Sequence, residues 1–414
     1  MPLRKKVYIA AGYYTVSLGT GRPEFHPRKP RPGLEEYIKE AGQGVIEQMN
    51  DVQAIDECVV GNFMAARFNR QGNLAALMPT IHPSLVHKPS VRTEGACGSG
   101  GLSVLTAIKS VLAETADVVL AMGTEVQNTV KAIYGADILA GAGHYAGQRK
   151  AGHAYFFPAM FSDRAGACFD KFGHDKVRGA MTQWFVNAVE HARKCPQAQE
   201  HHNPVEDLHA VGNTPPNPKA FCEHINVFDC SKVSDGAAAC LVCSEEGLKK
   251  AGIDKSDAIE VVGIGCAVAD VTALPDDPTQ VTTSQAAVKK AYEMSGVGAG
   301  DLAFAEVHDC FSITGILMAE ATGIVGHGEG YDFINEGHTK NTGDFPMNTS
   351  GGLIGHGHYT GGTGVRQTID NWRQLTGKAN DFQVTIPSEK PHGLVISMGG
   401  NDKTVVALVT RKTS

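Results

Sequence analysis

The feature that most constrains the fold of this 414-residue chain is a pattern that occurs once in each half. An apolar run that ends in Met-Gly lies at 119–123, and a similar run lies at 395–399. Each half also contains a glycine-rich turn that opens a helix, at 97–101 and at 358–364. Self-similarity of this kind predicts a duplicated fold, with two helix N-termini facing a site between the halves.

The remaining sequence alternates apolar runs with segments of helical periodicity, which predicts an α/β protein. The run 117–123 is almost continuously apolar, as is typical of a buried parallel strand. Further strands are predicted at 6–12, 54–60, 235–243, 259–266, 302–307, 393–398 and 403–410. Helices are predicted at 34–49, 73–81, 245–251, 284–294, 312–322 and 363–375, and from the Cys97 turn to about residue 114.

Composition divides the chain into three regions. An N-terminal core is predicted over 1–124 and continues at 226–254, and a C-terminal core is predicted over 255–414. The intervening region 125–225 is rich in Gly, His and aromatic residues, and it contains a proline-rich stretch at 204–218. We interpret it as a loop or lid insertion.

The inserted region has one predicted helix, near 176–193, and a preceding group of aromatic residues. Those side chains either line a pocket or form a small core of the insertion, and the second arrangement is favoured. They are Tyr155, Phe156, Phe157 and Phe161.

Charge and cysteine content narrow the function classes. The net charge of −7 argues against nucleic acid as the main partner. Ten scattered cysteines favour reduced thiols in an intracellular compartment. The pair Cys240 and Cys243 has C-x-x-C spacing, but its apolar surroundings favour a buried strand over a metal or redox site.

Targeting signals are weak in this sequence. No apolar run approaches the roughly 18 residues that span a membrane, so no membrane span is expected. The last residues, 411–414, are not a Ser-Lys-Leu tail, which favours a mitochondrial or cytoplasmic location over a peroxisomal one.

Cysteine and histidine residues lie where an acyl-transfer site needs them. Cys97 is at a bend before a helix N-terminus, where amide dipoles are expected to lower the thiol pKa. The alternative is an ordinary buried cysteine. His308 and Cys310 follow the predicted strand 302–307, and His356 and His358 both lie in a glycine-rich loop. Cysteine and histidine in converging loops favour transfer through a thioester, with an oxyanion hole beside them.

The chain resembles the thiolase family over essentially its full length. The resemblance rests on Cys97-Gly-Ser99, His308-Asp-Cys-Phe311 and the loop 348–364, in the family's order. Residues 231–239 are similar to the family's segment beside the CoA pantetheine. His-Asp-Cys-Phe is the mark of the sterol-carrier-protein type. The resemblance implies a duplicated five-layer αβαβα fold with an inserted loop domain.

The resemblance also implies a role for each matching residue. Cys97 would be the nucleophile that takes the acyl group, and His358 would activate it. Cys310 would exchange the α-proton of acetyl-CoA. His308 with His358 would form one oxyanion hole, and the amides of Cys97 and Gly399 would form the other.

Substrate-binding positions are expected at Ser231, Gly357 and Tyr359. Tyr359 stands where the family usually has proline, and tyrosine does not fix the backbone as proline does, so acyl specificity is expected to differ. His356 is an extra histidine, for which a solvated loop position is favoured over a metal site. No metal is expected, and no cofactor besides CoA thioesters as substrates.

Three functions stay open. The favoured one is a CoA-dependent thiolase that cleaves a 3-ketoacyl-CoA such as acetoacetyl-CoA, or condenses two acetyl-CoA. The second is a decarboxylating ketoacyl synthase or a non-CoA acetyltransferase on the same fold. Cys310 argues against the synthase, because decarboxylation forms the carbanion without a base. The third is a non-catalytic acyl-CoA-binding relative.

CoA and acyl-CoA are the expected partners, and the resemblance implies a homodimer formed through the segment 89–95. Arg92 and Glu94 on that segment could instead protect a free edge, which leaves a monomer possible. Candidates for contacts to the CoA phosphates are Arg149, Lys150, Lys171 and Lys176.

Overall fold

The computed structural model describes residues 2–26, 28–149 and 153–413. The strands within these residues are β1 (Val7–Tyr14), β2 (Glu57–Gly61), β3 (Ser90–Thr93), β4 (Val118–Glu125), β5 (Gly236–Cys243), β6 (Ile259–Val268), β7 (Leu302–Val307), β8 (His392–Gly399) and β9 (Thr404–Lys412). The helices are α1 (Leu34–Ile46), α2 (Ala65–Phe68), α3 (Ser99–Leu112), α4 (Ala132–Leu139), α5 (Tyr145–Gln148), α6 (Phe156–Phe172), α7 (His174–Ala192), α8 (Leu208–Gly212), α9 (Glu245–Ala251), α10 (Thr282–Ser295), α11 (Ser312–Ala321), α12 (Gly330–Asn335), α13 (Gly352–Gly355) and α14 (Thr363–Thr376).

The strands form two half-sheets of matching order. The full order is β3-β2-β4-β5-β1-β6-β9-β8-β7, and β1 meets β6 through a short antiparallel pairing. In each half the third strand from this junction carries the repeated apolar run, on β4 and on β8. β2 pairs in parallel with β4, as β7 pairs in parallel with β8. The predicted duplication is therefore confirmed.

Two helices lie between the half-sheets and form the middle layer. Val104 and Ile108 of α3 belong to one apolar cluster with Val365 and Ile369 of α14 and with the inner faces of both half-sheets. Burying each such side chain contributes roughly 1.5–3 kcal/mol. Apolar residues on α1 cover the outer face of the first half-sheet, and those on α10 and α11 cover the second. The layers follow the predicted αβαβα sequence.

The region 125–225 is more helical than the sequence predicts. The helix predicted near 176–193 is α7, but α6 is an additional long helix. Phe161 of α6 stacks on Phe311, with ring centroids 4.4 Å apart. Because Phe161 belongs to the apolar cluster of the C-terminal half, the favoured interpretation of a separate small core is wrong for this side chain.

Two other expectations can be compared with the structure directly. The helix predicted at 73–81 is a 3-10 helix over residues 74–80. No helix among the described residues combines the length and apolarity needed to cross a membrane.

Candidate active site

The nucleophile position is a tight turn between β3 and α3. Cys97 lies in the short 3-10 turn 96–98, and Ala96 before it has a left-handed backbone with φ of 54°. A Cβ added at Gly98 would lie 3.1 Å from the Gly399 nitrogen. The end of β8 in the second half therefore lies against the Cys97 turn of the first half.

His358 is held on both its backbone and its ring. Its amide donates to Ser234 Oγ at 2.9 Å, and its carbonyl accepts from Gln127 Nε2 at 2.7 Å. The ring atom Nδ1 lies 2.7 Å from Thr363 Oγ1. These bonds restrain the histidine although proline is missing at the next position, and they leave Nε2 as the ring atom for chemistry.

Three of the predicted catalytic side chains meet at one point. Cys97 Sγ and one ring nitrogen each of His308 and His358 lie within 4.8 Å of one another. The two imidazole rings are nearly perpendicular, with centroids 5.2 Å apart. A thiol and two imidazoles at this spacing can exchange a proton, and they are also the donor types that bind a soft metal ion.

Cys310 lies beside this cluster. Its thiol is buried, with Sγ 3.8 Å from Thr314 Oγ1, and its carbonyl accepts from the Ser231 amide at 2.9 Å. Burial raises the thiol pKa well above its ordinary value, and the nearby Cys97 raises it further. The structure thus brings the four predicted catalytic residues into one site.

The thiol of Cys97 is less acidic than the sequence predicts. Burial raises its pKa to about 12, the charge of Glu125 adds to this effect, and a hydrogen bond from the Gly400 amide opposes it. The expected lowering by the helix N-terminus is therefore outweighed by desolvation. The raised pKa favours the neutral thiol of Cys97.

Both histidines are neutral at ordinary pH. Burial lowers the pKa of His358 to about 3, and the positive charge of Arg366 acts in the same direction. Burial also lowers the pKa of His308 well below its ordinary value, with contributions from His358 and Arg366. A neutral imidazole can accept the thiol proton.

Two buried carboxylates position the site loops, and the sequence analysis missed both. Glu125 accepts hydrogen bonds from the amides of Phe63, at 2.8 Å, and of Gly361, at 3.1 Å. Asp309 accepts from the Leu353 amide at 2.7 Å and from Trp184 at 3.0 Å. A carboxylate in an otherwise apolar strand end was the available signal for Glu125.

The predicted substrate-binding residues differ in their placement. Ser231 is partly exposed and reaches Cys310 through its backbone. Gly357 has φ of 123°, and a Cβ there would lie 2.5 Å from Ser234 Oγ, so glycine is required. Tyr359 is fully buried in the middle-layer cluster, so its ring is core packing rather than part of an exposed pocket wall.

The expected solvated position of His356 is wrong. Its side chain is fully buried, with Nδ1 3.1 Å from Ser350 Oγ and 3.7 Å from Cys195 Sγ. Its ring packs edge-on against Tyr14. His356 therefore lies in a polar pocket of the core, apart from the Cys97 cluster.

The basic residues predicted to contact the CoA phosphates form ion pairs with aspartates of the same chain. Their ion pairs join Arg149 to Asp137 at 3.1 Å, Lys171 to Asp277 at 3.1 Å and Lys176 to Asp332 at 2.7 Å. Lys150 lies outside the described residues. Cys240 and Cys243 are buried in β5, as predicted.

Comparison with known proteins matches this chain to the N-terminal and C-terminal domain models of one family. The model described as "Thiolase, N-terminal domain" matches residues 33–172, and "Thiolase C-terminal domain-like" matches residues 266–412. An acetyl-CoA acetyltransferase of Methanothermobacter thermautotrophicus is 32% identical over 354 residues, which cover 85% of this chain and 88% of that protein. Sterol carrier protein 2 of Rattus norvegicus is 36% identical over 167 residues, which cover 39% of this chain and 30% of that protein. A solved structure, "Ltp2-ChsH2(DUF35) aldolase", has a TM-score of 0.78 at 20% identity and covers 99% of this chain and 98% of its own, so it supports the fold alone.

Proposed function

This chain belongs to the thiolase family, in its sterol-carrier-protein type, and is a CoA-dependent acyltransferase; we propose that it cleaves short 3-ketoacyl-CoA thioesters such as acetoacetyl-CoA, or condenses two acetyl-CoA in reverse. The observation that carries the proposal is the convergence of Cys97, His308 and His358 within 4.8 Å, with Cys310 beside them.

The first half-reaction uses Cys97 and His358. The imidazole takes the thiol proton as sulfur attacks the keto carbonyl of the substrate. The new carbon–sulfur bond forms an acyl-enzyme, and the bond between the α- and β-carbons breaks to release the enolate of acetyl-CoA. Because an imidazolium is unfavourable in this buried site, the proton moves on within the same cycle.

Cys310 completes this half-reaction by donating its thiol proton to the α-carbon of the enolate. A buried thiol with a raised pKa keeps its proton until such a strong base is formed. His358 then passes the proton that it took from Cys97 to the Cys310 thiolate. In the second half-reaction, His358 takes the proton of a new CoA thiol as that sulfur attacks acyl-Cys97, and it returns the proton to the departing Cys97 sulfur, which regenerates the enzyme. The cycle needs no group beyond CoA and its thioesters.

Two groups of donors would stabilise the oxyanions. The amides of Cys97 and Gly399 are candidates for one, supported by the close approach of Gly399 to Gly95 and Gly98 in the Cys97 turn. The rings of His308 and His358 are candidates for the other. Ser231, which is partly exposed beside Cys310, would face the pantetheine arm.

A homodimer through β3 is part of the proposal. Within the described residues, β3 is the last strand of its half-sheet, and Val91 on it is 41% exposed. Arg92 donates to the Phe63 carbonyl at 2.7 Å, and Glu94 accepts from the Ala96 amide at 2.6 Å. Because both charged side chains form hydrogen bonds within the chain, they do not prevent another chain from pairing with the edge of β3. Light scattering of the purified chain tests this, and a monomeric mass would contradict it.

The activity is tested by thiolysis of acetoacetyl-CoA with free CoA, followed at the enolate absorbance. Cys97→Ala is expected to abolish turnover, and Cys310→Ala to abolish it while still allowing acyl-enzyme formation from acetyl-CoA. Cys266→Ala is the matched control, because this thiol is partly exposed on β6 and outside the site. Full activity of Cys97→Ala would contradict the assignment. Turnover of malonyl thioesters alone would favour a decarboxylating synthase, and binding without turnover a non-catalytic relative.

A further inference from the structure

The side chains of Cys97, His308 and His358 are also donors that could bind a metal ion. A thiolate and two imidazoles are ligands that Zn²⁺ prefers, and three protein ligands with one open position are typical of reactive zinc sites. We propose that these three side chains form a binding site for Zn²⁺ or a similar soft divalent cation, and that occupation of this site reversibly inhibits acyl transfer.

The spacing of the donor atoms suits a zinc ion. With bonds of about 2.3 Å to sulfur and about 2.0 Å to nitrogen, tetrahedral ligand atoms lie roughly 3.3–3.7 Å apart. The three donors already lie within 4.8 Å of one another. Shifts of roughly 1 Å or less in each side chain would bring them to bonding distance. The near-perpendicular rings let the two nitrogens approach the ion from different directions.

The surroundings prepare His358 as a ligand. Its Nδ1 lies 2.7 Å from Thr363 Oγ1, which leaves Nε2 for the ion, and such an outer partner is typical of metal-bound histidine. On binding, the Cys97 thiol loses its proton to solvent as the sulfur–zinc bond forms.

The same surroundings disfavour hard cations. Mg²⁺ and Ca²⁺ need several oxygen ligands. Glu125, the carboxylate whose charge acts on Cys97, is occupied by the amides of Phe63 and Gly361 and by other donors. Asp309 is occupied by Leu353 and Trp184. The described residues therefore offer the cluster sulfur and nitrogen rather than free carboxylate oxygen.

Metal and substrate compete for one sulfur atom. The Cys97 sulfur that would attack the acyl carbonyl is the atom that would bind zinc, and its nucleophilicity falls when it is coordinated. This consequence, unlike the binding itself, rests on the proposed function. Acylation of Cys97 removes the thiolate, so an acyl-enzyme should exclude the ion.

Calorimetric titration of the chelator-treated full chain with ZnCl₂ tests the site. We expect one Zn²⁺ per chain, with affinity reduced more than about 100-fold by Cys97→Ala or His308→Ala and about 10-fold by Thr363→Val. Cys266→Ala should bind as the unchanged chain does. With Co²⁺ as the probe, a sulfur-to-cobalt charge-transfer band should appear and be absent from Cys97→Ala.

Either of two results would overturn the proposal. One is the lack of micromolar Zn²⁺ binding by the unchanged chain, and the other is binding that Cys97→Ala and Thr363→Val leave intact. Calorimetry requires no turnover. An inactive chain that binds zinc through Cys97 would therefore contradict the proposed function alone, and an active chain without the site would contradict only this inference.

Discussion

At the residue scale, burial decides the state of the reactive groups. The raised pKa of Cys97, about 12 against an ordinary 9, corresponds to on the order of 4 kcal/mol against the thiolate. A helix N-terminus contributes typically about 0.3–1 kcal/mol, and up to about 2 kcal/mol, in the opposite direction. Desolvation therefore outweighs the helix, and thiolate formation has to be coupled to attack on the substrate.

Thr363→Val tests the orientation of His358. Removing the hydroxyl takes away the partner of Nδ1, so the ring loses its preferred tautomer, and we expect kcat to fall about 10- to 100-fold with little change in KM. Steady-state thiolysis measures both constants. Thr368→Val, whose hydroxyl donates to the Gly364 carbonyl on the same helix, is the control and should stay within about twofold. Equal losses in both variants would point to a general effect on α14.

At the element scale, the two long helices of 125–225, α6 and α7, pack with the C-terminal half. α7 carries Trp184, which donates to Asp309 beside His308, and His191, which contacts the Asn348 carbonyl at 3.1 Å. α6 was missed because Gly, His and aromatic residues dominate the composition of the region. Its buried positions Phe161, Ala165 and Cys168 nevertheless follow helical spacing.

The burial of His191 predicts that its contact with the Asn348 carbonyl weakens in acid. Burial lowers its pKa to about 4, so the folded state keeps the ring neutral while the unfolded chain protonates near pH 6.5. Stability is therefore expected to fall, by on the order of 3 kcal/mol, as pH drops from about 6.5 to 4. Urea unfolding across this range measures it. His191→Gln should be less stable at pH 7 but should lose less on acidification.

A control variant distinguishes protonation of His191 from a general loss of stability in acid. His209→Gln on α8 should keep the pH dependence of the unchanged chain. If His191→Gln and the unchanged chain lose stability in parallel between pH 6.5 and 4, the ring of His191 is not the sensitive group.

At the scale of the whole molecule, the site exists because the two halves touch. A Cβ on Gly399, at the end of β8, would lie 1.9 Å from the Gly95 carbonyl oxygen and 3.0 Å from the Gly98 nitrogen. Glu125 of the first half also binds Thr360 and Gly361 in the glycine-rich loop of the second. Contact between the halves thus holds the backbone amides that we propose as oxyanion donors.

Gly399→Ala tests this contact. The added methyl group must push the Cys97 turn and β8 apart, so one oxyanion donor is displaced, and kcat is expected to fall about 10²- to 10³-fold. Thiolysis kinetics and a thermal melt of the same sample separate activity from folding. Gly300→Ala, where nothing lies near the added carbon, should match the unchanged chain in both. Unaltered kcat in Gly399→Ala would rule out its amide as a donor.

Local patterns determined the α/β class, the duplication and a set of candidate cysteines and histidines in loops, because apolar periodicity and glycine-rich turns depend on neighbours in the chain. The resemblance to the thiolase family then selected four of these candidates, with His358 preferred to His356. The β4 and β8 runs and the positions of Cys97, His308, Cys310 and His358 were available from such patterns. The protonation states of these groups, the burial of His356 and Tyr359, and the roles of Glu125 and Asp309 were decided by tertiary structure. Desolvation and hydrogen bonding there depend on residues that are distant in sequence, and only packing of the two half-sheets around α3 and α14 brings them together.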